Sequence, residues 1–220
     1  MTLGAGPAFR LTDGVNSVVL EDRMPRLAKF HDAQFLDAAR RVVSRQGPSG
    51  ATISAIAQAI GAPTGSLYHR FPSRDVLLGE VWLQAAQAFQ SGYCAVLRGP
   101  HAHDAGLAAI RYFVERVRAN LPEARTLLLY RREDFIDRGW PKAMERRAAQ
   151  LAEQSRHELR AFTRRLTGRS NQQAIRMLAY ALLEAPLAAV RRHIEVNEVP
   201  PPYIDRLVAA TYEAVVRLVA

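Results

Sequence analysis

Residues 52–71 constrain the fold more than any other stretch of the chain. Thr52 is a good helix N-cap, and Ile53, Ile56, Ala57 and Ile60 recur at helical spacing to give one apolar face. Gly61 tolerates the left-handed backbone that ends a helix and turns the chain sharply. Pro63 sets φ for a second helix start, and Leu67 and Phe71, four apart, give that helix an inward face. Its other face is small and polar, with Thr64, Gly65, Ser66 and His69 near its beginning. Two short helices at a tight turn, the second slim at its N-terminal end, have the geometry that enters a major groove. The stretch predicts a helix-turn-helix reader of double-stranded DNA.

The flanking sequence supplies a frame for such a reader. Between about 28 and 46, Phe35, Leu36, Ala39, Val42 and Val43 share one helical face, and Gly47-Pro48-Ser49-Gly50 stops the helix. Ser73 is an N-cap for a long helix reaching about residue 97, with Asp75 in its first turn and Gly92 as a weak point. Beyond Pro100 the periodicity stays helical over 104–120, 122–136, 141–167, 170–196 and 202–219, with Pro186 expected to kink one of these helices. The expectation is an all-α chain of about nine helices. It divides into an arm (1–25), a helix-turn-helix domain (26–75) and a larger helical domain (76–220). The arm, with Arg23, Arg26 and Lys29 just ahead of the first helix, has the composition either of a groove-reaching tail or of a solvated one.

Charge adds little to this reading. The net charge is +9, but residues 24–80 hold seven basic and four acidic side chains, and residues 100–220 hold twenty and fourteen. The excess is spread out, so it does not single out the reader. No run approaches the ~20 apolar residues of a membrane span, and residues 1–23 lack a signal-peptide layout. Cys94 is the one cysteine, which excludes an internal disulfide and any all-cysteine metal site. A cytoplasmic protein without membrane contact is expected.

The run Gly65-Ser66-Leu67-Tyr68-His69-Arg70-Phe71, after a threonine-capped helix and a turn glycine, resembles the signature of the TetR family of bacterial transcriptional regulators. The resemblance covers roughly residues 29–80. It implies phosphate contacts from Thr52, Tyr68 and Arg74, base-edge contacts from Thr64, Ser66 and His69, and close backbone approach at Gly65. Each residue has a plainer alternative: Thr52 as a cap alone, Tyr68 packed on the first helix, His69 as a solvated side chain. Pro63 stands where the family usually has a serine, and Arg70 where it usually has a histidine.

The resemblance also implies a homodimer, built by the last two helices through Leu178, Leu182, Ala185, Ala189, Leu207, Thr211, Ala214 and Leu218. It would place two readers about 34–36 Å apart on a palindromic operator. The alternative is that these stripes only close the chain's own core. A small-molecule effector is implied between the C-terminal helices, with Trp82, Phe89, Tyr93, Tyr112, Phe113, Tyr130, Trp140, Met177 and Tyr180 as candidate lining. Phe135 belongs to the same aromatic cluster, and the persisting basic excess makes an anionic effector conceivable.

Catalysis finds no support in the sequence. His101 and His103 lack a third metal ligand beyond Asp104, and Glu133-Asp134 sits among arginines as a charged face. Cys94 has no local activating base, and no cofactor or metal is implied. The expected function is a repressor released from its operator by a ligand. The alternatives are a DNA-binding dimer without an effector, or an enzyme with a DNA-binding head.

Overall fold

Apolar residues at helical spacing run almost the whole length of the chain, and helices result. The computed structural model describes residues 30–135, 140–169 and 171–219, and no strand occurs among them. The arm expected at 1–25 lies outside the described residues. In order, the helices are α1 (Asp32–Gly50), α2 (Ile53–Gln58), α3 (Thr64–Tyr68), α4 (Arg74–Leu97), α5 (Ala102–Ala119), α6 (Leu121–Ala124), α7 (Lys142–Thr167), α8 (Gln172–Glu195) and α9 (Tyr203–Val219). The expected all-α, nine-helix architecture is observed among the described residues.

Two main apolar cores form, and α4 belongs to both. Its first half sends Leu77, Leu78 and Val81 into a core with Phe35, Ile56, Leu67 and Phe71 from α1 to α3 and the turn after them. Its second half sends Tyr93 and Leu97 into a core with Ile110, Phe113, Leu178, Leu182 and Tyr212. Each large side chain fully buried this way contributes about 1.5–3 kcal/mol. The start of α4 is fixed as its sequence requires, with Ser73 Oγ accepting the Val76 N–H at 3.2 Å. Gly92, the expected weak point, leaves the room in which the Tyr112 hydroxyl packs against α4.

The helix expected over 122–136 breaks up. After the single turn of α6 the chain widens into a π turn (Arg125–Leu129) and then a 3-10 turn (Arg132–Phe135). The break has a packing cause. Leu128 lies against the C-terminal core, whereas Phe135 is fully buried in the reader core, so one straight rod could not serve both.

Helix α8 also contains a π turn (Tyr180–Glu184), just ahead of Pro186. In a regular α-helix the Leu182 carbonyl would accept the N–H of residue 186, but proline has none. The buried hydroxyl of Tyr93 donates to that carbonyl instead, at 2.8 Å. Burial pushes the Tyr93 phenol far above its usual range, so it stays a donor. The kink expected at Pro186 is therefore a widened turn stitched to α4.

By length and composition α8 reaches a hydropathy of 1.2, enough for a membrane span and more than the sequence reading allowed. Leu178, Leu182, Val190 and Ile194 carry part of that apolarity into the C-terminal core, and 33% of the apolar window is buried.

Tyr93→Phe is expected to lower stability by about 1–3 kcal/mol, the penalty for a buried carbonyl left without a donor. A urea titration should show a lower midpoint at unchanged slope. An unshifted midpoint would mean that Leu182 has no need of this hydroxyl.

Candidate nucleic-acid interface and internal cavity

The α2–α3 unit is built as its sequence dictates. Thr52 Oγ1 accepts the Ala55 N–H at 3.1 Å, so the threonine caps α2. Gly61 has φ +64, the left-handed conformation that turns the chain. Pro63, at φ −62, is the residue before the first turn of α3. Leu67 and Phe71 anchor α3 in the reader core, both buried. With that face fixed, Thr64, Gly65, Tyr68 and His69 are exposed and Ser66 is half-buried. Tyr68 is 56% exposed, so it does not pack against α1.

Gly65 stands in open space: a Cβ added there would meet nothing within 4 Å. This chain's own packing does not require glycine at 65, whereas close approach of an outside backbone would.

Two arginines are committed inside the unit. Arg70 pairs with Asp32 at the start of α1, so its guanidinium holds α1 rather than facing outward alone. Arg74, expected to bind phosphate, donates through Nε to the Ala51 carbonyl at 3.1 Å. A second guanidinium nitrogen donates to the Pro48 carbonyl at 2.5 Å, and Asp75 lies 3.4 Å from the third. The Ala51 carbonyl lies in the bend between α1 and α2, and the Pro48 carbonyl, in the last turn of α1, also accepts the Ala51 N–H at 3.1 Å. Arg74 therefore clamps the reader from within.

The C-terminal half forms a half-open cavity of about 390 Å³ among α4, α5, α7, α8 and the π turn after α6. Of the nine expected lining residues, Trp82, Phe89, Tyr93 and Phe113 line it. The Tyr93 hydroxyl is already used by Leu182. Tyr112 stands behind the wall, its ring 6.1 Å from Phe89 and 6.4 Å from Tyr93. Tyr130 meets Phe135 edge-on in the reader core, and Trp140 is buried against Trp82 and Met144. Met177 packs on the C-terminal core, and Tyr180 is 50% exposed on α8.

Sequence reasoning followed aromatics and missed the leucines. Leu127 and Leu128 come from the π turn, Leu151 and Leu159 from α7, and Leu182, Leu183 and Leu187 from α8. One signal was available: Leu151, Ser155, Glu158 and Leu159 fall on one helical face. Cys94 also lines the cavity, and burial raises its thiol, which keeps it protonated.

The expected pairing face needs correction at its centre. Leu178 and Leu182 are fully buried in this chain's own core, so they are not free to meet a partner. Ala185, Ala189 and Thr211 are half-buried, Ala214 is exposed, and Leu207 and Leu218 are 51% and 72% exposed. Helix α9 is apolar on two faces. Ile204, Val208, Tyr212, Val215 and Val219 face the core, while Tyr203, Leu207, Ala210, Ala214 and Leu218 face out.

Arg125, at the start of the first π turn, joins the two halves. Its Nε donates to the Ser44 carbonyl of α1 at 2.9 Å, and a terminal nitrogen donates to Ile194 and Glu195 carbonyls at the end of α8. A cation suits that helix end, where carbonyls point outward. His103 pairs with Glu213 at 3.0 Å, and that hydrogen bond, opposed by slight burial and aided by Asp104, raises its pKa. No group of three or more metal-ligating side chains occurs among the described residues.

A model of the family described as bacterial regulatory proteins, tetR family, matches residues 35–81. The HTH-type transcriptional repressor Rv1474c of Mycobacterium tuberculosis is 32% identical over 146 residues, covering 62% of this chain and 71% of that protein. Among solved structures, the TetR-family regulator SCO4454 from Streptomyces coelicolor superposes with TM-score 0.65 at 19% identity, over 85% of this chain and 94% of that one. FadR from Bacillus subtilis, in complex with stearoyl-CoA, gives TM-score 0.60 at 15% identity, over 84% and 98%. Both likenesses are to the fold.

Arg74→Ala is expected to cost about 2 kcal/mol, because two carbonyls lose a charged donor. In a chain this size that is a fall of about 4–8 °C in Tm. Arg74→Lys should recover little, since an ammonium cannot reproduce the fork. If Arg74→Ala kept its Tm and lost only DNA affinity, the phosphate role would stand after all.

Proposed function

Because the chain belongs to the TetR family of bacterial regulatory proteins and is a DNA-binding transcriptional regulator, we propose that it is a cytoplasmic homodimeric repressor released from a palindromic operator by a small molecule. In this reading Thr64, Ser66 and His69 meet base edges, and Thr52 and Tyr68 meet phosphate. Thr52 retains a hydroxyl proton to donate while its oxygen caps α2. The bare surface at Gly65 supports close approach of the DNA backbone.

The outward apolar face of α9 supports pairing. Six of the seven most exposed large hydrophobics among the described residues lie between Tyr180 and Leu218, and the seventh is Tyr68. Burying Tyr203, Leu207 and Leu218 against a second copy removes a surface that a monomer leaves in water. Self-complementary contact of this kind gives a two-fold dimer, hence an operator with two-fold symmetry.

The observation that carries the effector is the cavity and its wall. Both π turns of the described chain border it, through Leu127 and Leu128 on one side and Leu182, Leu183 and Glu184 on the other. Turns of this kind concentrate at functional sites because they are helix segments held off their minimum. The first turn also carries Arg125, which grips α1 through the Ser44 carbonyl. An occupant that shifts Leu127 and Leu128 would therefore disturb Arg125 and the helix behind the reader. Such a ligand must bind the DNA-incompetent arrangement more tightly than the competent one.

Gly65→Val tests the reader: its Tm should match the parent, while gel shifts on flanking intergenic DNA lose at least tenfold in affinity. Retained binding with an unchanged sequence preference would remove α3 from the interface. Leu207→Glu with Leu218→Glu tests pairing by sedimentation: the double variant should run as a folded monomer and bind operator weakly. A dimer that survives both charges would place the interface elsewhere.

A further inference from the structure

The cavity differs in charge from the chain around it. The chain carries 30 lysines and arginines against 21 acids, yet no Lys, Arg or His is among the residues lining the cavity, whereas Glu158 and Glu184 are. Glu158 is spoken for: the Arg98 guanidinium holds both its oxygens, at 3.1 and 2.5 Å, and keeps its carboxyl below the usual range. Glu184, in the second π turn, lines the wall and has no ion-pair partner among the described residues.

Two neutral donors of the wall are committed, and the Trp82 indole N–H is buried without a partner among the described residues. Tyr93 donates to the Leu182 carbonyl, and the Gln90 amide donates to the Leu151 carbonyl at 3.0 Å. An anionic head group entering this space would meet the Glu184 carboxylate and no cation among the lining residues, with Arg98 already held by Glu158, so most of its lost hydration would go uncompensated. A cationic head would meet Glu184, in a wall that also holds the contacting rings of Phe89, Tyr93 and Phe113 and the separate Trp82 ring, all of which attract positive charge. The remaining wall is leucine and alanine, suited to an alkyl or aryl body, and about 390 Å³ fits a small organic molecule.

Resting on the reading of this cavity as the effector site, we propose that it takes an amphipathic organic cation, such as an alkyl or aryl ammonium. The charged end lies toward Glu184 and the apolar body lies along the leucines of α7 and α8. This replaces the anionic effector that the overall basicity of the sequence suggested.

Isothermal titration of the full-length protein with three ligands of equal chain length tests it: decyltrimethylammonium, decanoate and decanol, each below its micelle concentration. The ammonium should bind at least tenfold tighter than decanoate, with a change in tryptophan fluorescence because Trp82 forms part of the wall. Glu184→Gln, at an exposed position that the fold does not depend on, should weaken the ammonium three- to tenfold and leave decanol unchanged. Decanoate binding as tightly as the ammonium, or an ammonium affinity indifferent to Glu184→Gln, overturns the cationic class and leaves an effector cavity standing. No saturable binding by any of the three overturns the class and the effector reading together.

Discussion

Burial of one helix in two cores is the constraint on which the rest of this structure depends. Leu77, Leu78 and Val81 of α4 cannot leave the reader core without exposing Phe35, Ile56 and Leu67, and Tyr93 and Leu97 are equally fixed at the far end. The helix rises about 1.5 Å per residue, so its 24 residues hold the two anchors roughly 36 Å from end to end. A rod anchored this way transmits rotation, because its ends cannot slip separately against close-packed surroundings. The small cluster of Leu83, Trp140, Met144 and Ala148 packs α7 against its middle, and Arg147 reinforces that contact by pairing with Glu80 at 2.7 Å.

Local rules made the reader legible, except for the partners of one residue. Thr52, Gly61, Pro63, Leu67 and Phe71 each act through their own backbone or the next turn, so sequence suffices to place them. Arg74 acts on carbonyls 23 and 26 residues earlier, and nothing in its neighbourhood announces those partners. A basic residue beside a DNA reader reads as a phosphate ligand, because charge is visible in a sequence and a distant carbonyl is not. Leu178 and Leu182 failed for a related reason. On a helix with apolar residues on more than one side, periodicity gives a stripe but not which stripe faces the chain's own core.

The cavity was the least legible part, and the reason is geometric. Its wall is assembled from four helices and a turn, and most of its area comes from leucines indistinguishable in sequence from core leucines. Aromatic character found four of the lining residues and also drew in Tyr130 and Trp140, which fill solid core. Sequence showed Pro186 as a kink. It did not show that the carbonyl freed by Pro186 would be met by Tyr93, or that the widened turn would leave Leu182, Leu183 and Glu184 along one wall.

That pairing ties the cavity to α4. Tyr93 is at once a residue of α4, a part of the cavity wall and the donor that stabilises the irregular turn of α8. Any occupant that moves the second π turn pulls on a hydrogen bond whose other end is the shared rod. On the opposite wall, Leu127 and Leu128 adjoin Arg125, whose hydrogen bonds reach α1 and the end of α8. The cavity thus touches the reader by two routes, one along α4 and one through the first π turn to α1. In the proposed switch both routes end in the same small core, so a ligand need alter only the angle at which that core is held. The free energy for that change comes from the ligand's preference for one arrangement, and a preference of about 1–3 kcal/mol shifts affinity for operator by 5- to 150-fold.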